Sequence, residues 1–186
     1  MRRSMFFIPF LLLASPAIAQ EAGATTGLEI DPGAYAGVWY EIARTPTPYQ
    51  QQCTGGVTAT YTVVDDSTVR VNNRCDLASG ETEQATGTAE VVDGNFNTFA
   101  VELEDSGGAP GINYVVAAVG EEEDGRYSWA AVHSPDDDTG WILARDPDFG
   151  DAERSEAEAA LEAVGVDLDQ LSDTAQPPQN YDPDAE

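Results

Sequence analysis

From Val57 to Val63 the chain alternates with a period of two: Val57, Ala59, Tyr61 and Val63 are apolar or aromatic, and Thr58, Thr60 and Thr62 stand between them. Successive side chains of a β-strand point to opposite faces, so this run specifies a strand with one dry face and one wet face. Comparable runs recur between turn signals at about residues 37–45, 56–64, 68–75, 81–92, 96–104, 112–119, 126–133 and 139–146. Eight such strands in antiparallel order can close on themselves. The expected fold is therefore all-β, an eight-stranded antiparallel up-and-down β-barrel, which leaves no exposed edge and whose interior is either filled by side chains or holds one small ligand.

Register follows from the clearest pair of runs. Folding residues 57–63 against Thr68-Val69-Arg70-Val71-Asn72-Asn73 across an Asp65-Asp66-Ser67 turn sets Tyr61 opposite Val71 and Ala59 opposite Asn73. Residues directly opposite share a face, so Val69, Val71 and Asn73 point inward with Tyr61, while Arg70 and Arg74 point out. Phe99, Val101 and Leu103 alternate with Ala100 and Glu102, and Trp141 and Leu143 flank Ile142. Past the last strand, residues 151–164 change to a helical period, with Ala157, Ala160, Leu161 and Val164 on one face and Gly165 as a stop. One C-terminal helix packed outside the barrel is expected, with Trp129 as an outward-facing partner.

Arg2-Arg3, an apolar run from Met5 to Ala14 and the small residues of Ala17-Ile18-Ala19 read as a secretory signal over residues 1–19. The remaining organisation reads as a lead-in at 20–34, one domain at 35–171, and an acidic, Pro-containing mobile tail at 172–186. No Cys follows the cleavage site, so the expectation is a periplasmic or secreted protein without a lipid anchor. Charge narrows the partners. The chain carries 34 acids against eight arginines, for a formal charge of −26, which repels nucleic acid and anionic membrane surfaces.

The segment Gly37-Val38-Trp39-Tyr40-Glu41-Ile42-Ala43-Arg44 has a distant counterpart in Trp141-Ile142-Leu143-Ala144-Arg145. Between them stand Cys53 to Tyr61, Val69 to Cys75, and Tyr127 to Pro135, which leads through Asp138 to Arg145. These four motifs, in this order, resemble the lipocalins, and most closely the bacterial outer-membrane and apolipoprotein D-like branch. The resemblance covers nearly all of the chain after the signal. It implies that Gly37 and Trp39 open the first strand and that Arg145 lays its guanidinium over the indole, so that all three act structurally at the closed end. It implies a calyx opening at residues 45–55, 76–80, 105–111 and 134–139, with Tyr61, Asn73, Phe99, Val101, Tyr114 and Trp141 lining a ligand cavity. One departure lies at Gly120-Glu121-Glu122-Glu123-Asp124-Gly125, where the family commonly has Thr-Asp-Tyr.

Residues with chemistry are few. Glu41 shares the inward parity of Trp39, as a buried carboxylate that needs partners, and either a structural or a catalytic acid fits that position. Cys53 and Cys75 are the only cysteines of an exported chain, so a disulfide is the default over a thiol or metal pair. Strict hairpin arithmetic sets Cys75 opposite Val57, so the preceding loop has to fold back. His133, the only histidine, points outside by family parity, and no Ser-His-Asp set or metal spacing is drawn. The reading is a non-catalytic carrier of a small lipophilic ligand of the fatty acid or lysophospholipid type, with no cofactor, no metal and no nucleic acid, and with transient contact with the outer membrane. The alternative is a lipocalin-type isomerase acting on a lipophilic substrate.

Overall fold

The computed structural model describes residues 27–104, 111–136 and 138–183. The expected signal peptide and residues 105–110 of the expected third mouth loop lie outside them.

A short helix, α1 (Pro32–Tyr35), is followed by β1 (Gly37–Arg44), β2 (Cys53–Asp65), β3 (Thr68–Leu77), β4 (Thr82–Val91), β5 (Thr98–Leu103) and β6 (Tyr114–Val119). A small hairpin of β7 (Glu122–Glu123) and β8 (Arg126–Tyr127) precedes β9 (Trp129–Ser134) and β10 (Thr139–Ala144). Helix α2 (Asp151–Ala163) and a two-residue strand, β11 (Ser172–Asp173), complete the order. Neighbours run β10-β9-β6-β5-β4-β3-β2-β1, all antiparallel, and β1 pairs back onto β10. The eight long strands therefore form a closed barrel, with α2 outside it and β11 as one extra strand. The threonine strand takes the expected register, Tyr61 against Val71 and Ala59 against Asn73.

Three local departures have local causes. The seventh barrel strand, expected from residue 126, begins at Trp129 because residues 122–127 fold into their own hairpin. Asp124 and Gly125 both take positive φ there, 51° and 77°, the Asp-Gly chemistry of a tight type I′ turn. The fifth strand begins at Thr98 rather than 96, because Phe96 stands at φ 58°, outside strand geometry. The second strand reaches back to Cys53 rather than 56. Thr58 pairs with Arg74, Gly55 with Asp76 and Cys53 with Leu77, so β2 absorbs two extra residues in bulges. Gly56 at φ 60° supplies the left-handed backbone that the distortion requires. These bulges, not a returning loop, bring Cys53 within 5.5 Å (Cα–Cα) of Cys75, and the two form a disulfide.

Two apolar layers hold the fold. Inside, Trp39, Val71, Phe99, Val132 and Leu143 belong to one buried cluster. Outside, Ile42, Trp129, Ala131 and Ile142 pack under Ala157 and Leu161 of α2, so the expected contact of Trp129 with the helix region is present. Gly140 on β10 lets this layer close up, since a Cβ there would meet the Val166 methyls at 3.0 Å.

Within the segment expected as a mobile tail, residues 172–181 make specific contacts with the barrel. Above Tyr40 the β1–β2 ladder ends, and residues 172–176 fill the gap between the two strands. β11 pairs with Ala43 and Arg44, Thr174 N–H donates to Ile42 O, and Gly56 N–H donates to Ala175 O. The Gln176 amide donates to both Glu41 O (2.7 Å) and Val57 O (2.9 Å), tying the parted strands together. Farther on, the Tyr181 hydroxyl donates to Gly56 O and its ring receives Arg74. The backbone polar groups of two splayed strands need partners, and this polar segment provides them.

Candidate functional site

At the closed end, α1 folds under the barrel. Asp31 caps it by accepting from Ala34 N–H at 2.8 Å, with Pro32 in the first turn. The chain then turns into β1 at Gly37, whose φ of 96° favours glycine. The Arg145 guanidinium lies 3.6 Å from the centre of the Trp39 ring. Its N–H groups donate to the carbonyls of Tyr127, Val38, Ala34, Tyr35 and Ala36, and the Trp39 indole N–H donates to Tyr35 O. Burial lowers the Arg145 pKa to about 10, which leaves it a cation at neutral pH.

Above this floor is a cavity of about 60 Å³ whose wall includes Tyr61, Asn73, Phe99, Val101 and Tyr114. Trp141 lies outside that wall, nearer the mouth. The sequence reading missed Tyr35 and Phe96, which also line the cavity. Tyr35 arrives from α1, which no strand period reveals, and Phe96 comes from the turn before β5. The aromatic rings contact one another edge-on or stacked, Phe96 with Phe99 at 5.1 Å and Tyr35 with Tyr61 at 5.7 Å. In their midst three hydroxyls meet: Tyr35 with Tyr114 at 2.7 Å, and Tyr114 donating to Tyr61 at 3.0 Å. Burial raises the pKa of all three phenols, that of Tyr61 to about 12. They are neutral donors across the physiological range.

The mouth is closed by a polar network around Glu41, which is 3% exposed. Its Oε1 accepts from Arg44 at 2.5 Å and from Thr174 at 2.6 Å, and its Oε2 accepts from the Gln50 amide at 2.9 Å. Gln50 Oε1 in turn accepts from Thr47 (3.0 Å) and from the Trp141 indole N–H (3.3 Å). A short 3-10 turn at Pro48–Gln50 presents this side chain. Gln50 therefore links the first mouth loop, the carboxylate and Trp141. A second hollow of about 290 Å³ lies beside it, bordered by Arg44, Thr47, Gln50 and Thr174. Gln50 and Thr174 carried no signal in the sequence, since they reach Glu41 from 9 and 133 residues away.

His133 sits among the outward-facing positions of β9, opposite Val115 and Gly140. Its Nε2 has no hydrogen-bond partner, and burial lowers its pKa below 6.5. Among the described residues no group of three or more His, Cys, Asp and Glu side chains is placed to hold a metal.

The profile of the lipocalin-like domain matches residues 30–176. The outer membrane lipoprotein Blc of Citrobacter freundii is 31% identical over 168 residues, covering 90% of this chain and 92% of the relative. Among solved structures, lobster apocrustacyanin A1 superposes with a TM-score of 0.61 at 23% identity, covering 79% of this chain and 80% of that one. Insecticyanin from the tobacco hornworm Manduca sexta gives 0.60 at 18% identity, covering 81% and 83%. At these identities the two structural likenesses are likenesses of fold.

Proposed function

The chain belongs to the lipocalin family, and on that premise we propose that it binds, stores or carries a small hydrophobic or amphipathic molecule of the fatty acid or lysophospholipid type in the cell envelope, without catalysis. The observation that carries this reading is the interior cavity: an aromatic and aliphatic wall inside a closed barrel, with a cluster of neutral hydroxyls as its polar handle. Tyr61, Asn73, Phe99, Val101 and Tyr114 are the residues proposed to hold the ligand, and Trp141 is proposed to guard its way in. Gly37, Trp39 and Arg145 are assigned a structural role at the closed end.

Size sets the manner of binding. A cavity of about 60 Å³ takes the inner few atoms of a lipid, not a whole acyl chain. The rest must enter by displacing Gln50 and the loop that carries it. Each methylene then buried contributes about 0.8 kcal/mol, enough over a long chain to offset the broken mouth network. The envelope location draws on the related outer membrane lipoprotein and on the signal-like residues 1–19. Transient contact with the outer membrane is where such a carrier would load.

Glu41 is assigned to the structure of the mouth, because both of its oxygens already accept hydrogen bonds from the protein. Native mass spectrometry of the protein from its own periplasm, followed by lipid extraction, tests the carrier reading. A co-purifying lipid of defined mass is expected. A protein that arrives empty and takes up no lipid from vesicles would overturn it. Conversion of an added lipid to a product of altered retention, abolished by Glu41→Gln, would favour the isomerase instead.

A further inference from the structure

The tyrosine cluster has one proton more than it uses. A phenol hydroxyl donates one hydrogen bond, and three hydroxyls are joined here by two bonds. Tyr114 donates to Tyr61, so Tyr35 must donate to Tyr114, and the proton left over is that of Tyr61. Among the described residues, no acceptor takes it. A second polar atom on the same wall is also unmatched, since Asn73 Oδ1 is buried and accepts no hydrogen bond.

The residues that carry these two groups line the same cavity. Tyr61 stands opposite Val71 and Asn73 opposite Ala59 across the β2–β3 pair, so Tyr61 and Asn73 are diagonal partners on the inward face, within reach of a common ligand group. One offers a donor and the other an acceptor. A buried polar atom left unpaired costs about 1 to 3 kcal/mol, so a ligand that satisfies both gains from the match.

Charge decides what kind of group fits. Arg145 has its guanidinium over Trp39 and its N–H groups on five backbone carbonyls. Arg44 is paired with Glu41. An anion would find neither cation free, and the Glu41 carboxylate is near enough to act on Tyr61.

We propose that Tyr61 and Asn73 form a donor–acceptor pair inside the calyx that recognises an uncharged group with a carbonyl oxygen and an adjacent N–H or O–H, as in a primary amide or a protonated carboxylic acid. The Tyr61 hydroxyl donates to the ligand carbonyl, and the ligand N–H or O–H donates to Asn73 Oδ1. Burial keeps the Tyr61 phenol protonated far above neutral pH, so the donor is constant. The proposal rests on the carrier reading above and specifies the polar end of its ligand.

Binding of hexadecanamide, hexadecane and hexadecanoate to the full chain tests it, at about pH 8 where the carboxylate is ionised. The amide should bind at least about tenfold tighter than the hydrocarbon, and tighter than the anion. The double variant Tyr61→Phe/Asn73→Leu, which removes both polar groups, should erase the amide's advantage over hexadecane, whatever it does to the affinity for the hydrocarbon itself. The infrared carbonyl band of carbon-13-labelled amide, shifted to lower frequency on binding to the unsubstituted protein, gives a readout that does not need the variant to fold. An amide bound no tighter than hexadecane, an anion bound best, or a variant in which the amide keeps its advantage over hexadecane would overturn the proposal while leaving the carrier reading in place. Failure of all three compounds to bind would remove the carrier reading and this proposal with it.

Discussion

At the scale of single residues, Trp39 and Trp141 show how position in one barrel separates stability from binding. Trp39 lies under Arg145 with five backbone carbonyls tied to that guanidinium. Arg145→Ala leaves those carbonyls short of donors and should cost about 2 to 4 kcal/mol, a drop in melting temperature of roughly 5 to 15 °C for a domain this size. Trp39→Ala should lower it comparably, by emptying the floor. Trp141→Ala loses one indole hydrogen bond to Gln50 and should weaken lipid binding several-fold with little change in melting. Thermal melts beside ligand titrations check the division, and equal effects of all three substitutions on both properties would refute it. His133 gives a pH signature of its own. Burial holds its folded pKa below 6.5, so the unfolded chain takes up the proton first as pH falls, and this part of the stability declines from about pH 6.5 downward. His133→Gln should flatten melting temperature against pH in that window. The Trp39–Arg145 pairing was legible because both ends sit in recognisable motifs. Gln50, Tyr35 and Thr174 were not, because contacts between loops distant in sequence leave no local pattern.

At the scale of elements, strand register was readable wherever alternation was strict. The run from Val57 to Val63 fixed its own pairing with β3, since a slip of one residue would turn Tyr61 out and threonine in. Alternation was silent where the backbone departs from plain extension: the bulges at Gly55–Gly56, the turn at Phe96, the separate β7–β8 hairpin. The contacts of residues 172–181 were not legible for a related reason. The segment's polar, proline-containing composition has the look of a solvated tail, yet its polar atoms serve the unpaired strand groups at the rim. Ending the chain at Leu171 should therefore strip Glu41 of the Thr174 bond and unclamp β1 from β2. The shortened protein should melt several degrees lower and exchange a fluorescent fatty acid at least about threefold faster in stopped flow. Unchanged exchange would mean that the rim plays no part in access.

At the scale of the whole molecule, charge and fold are independent messages. The barrel follows from alternation and would survive a different surface, whereas the charge of −26, with arginine as the only basic side chain besides His133, speaks of partners and medium. Crowded carboxylates repel one another, and salt screens them over about 10 Å at 0.1 M. Melting temperature should rise steadily as sodium chloride increases from about 0.01 to 0.5 M, and a flat or falling curve would show that the acids are already compensated by local pairing. The position of the rim segment also carries a consequence for how the molecule is made. Residues 172–176 follow every barrel strand in the chain, so the seam between β1 and β2 is sealed by residues synthesised after both strands that they join.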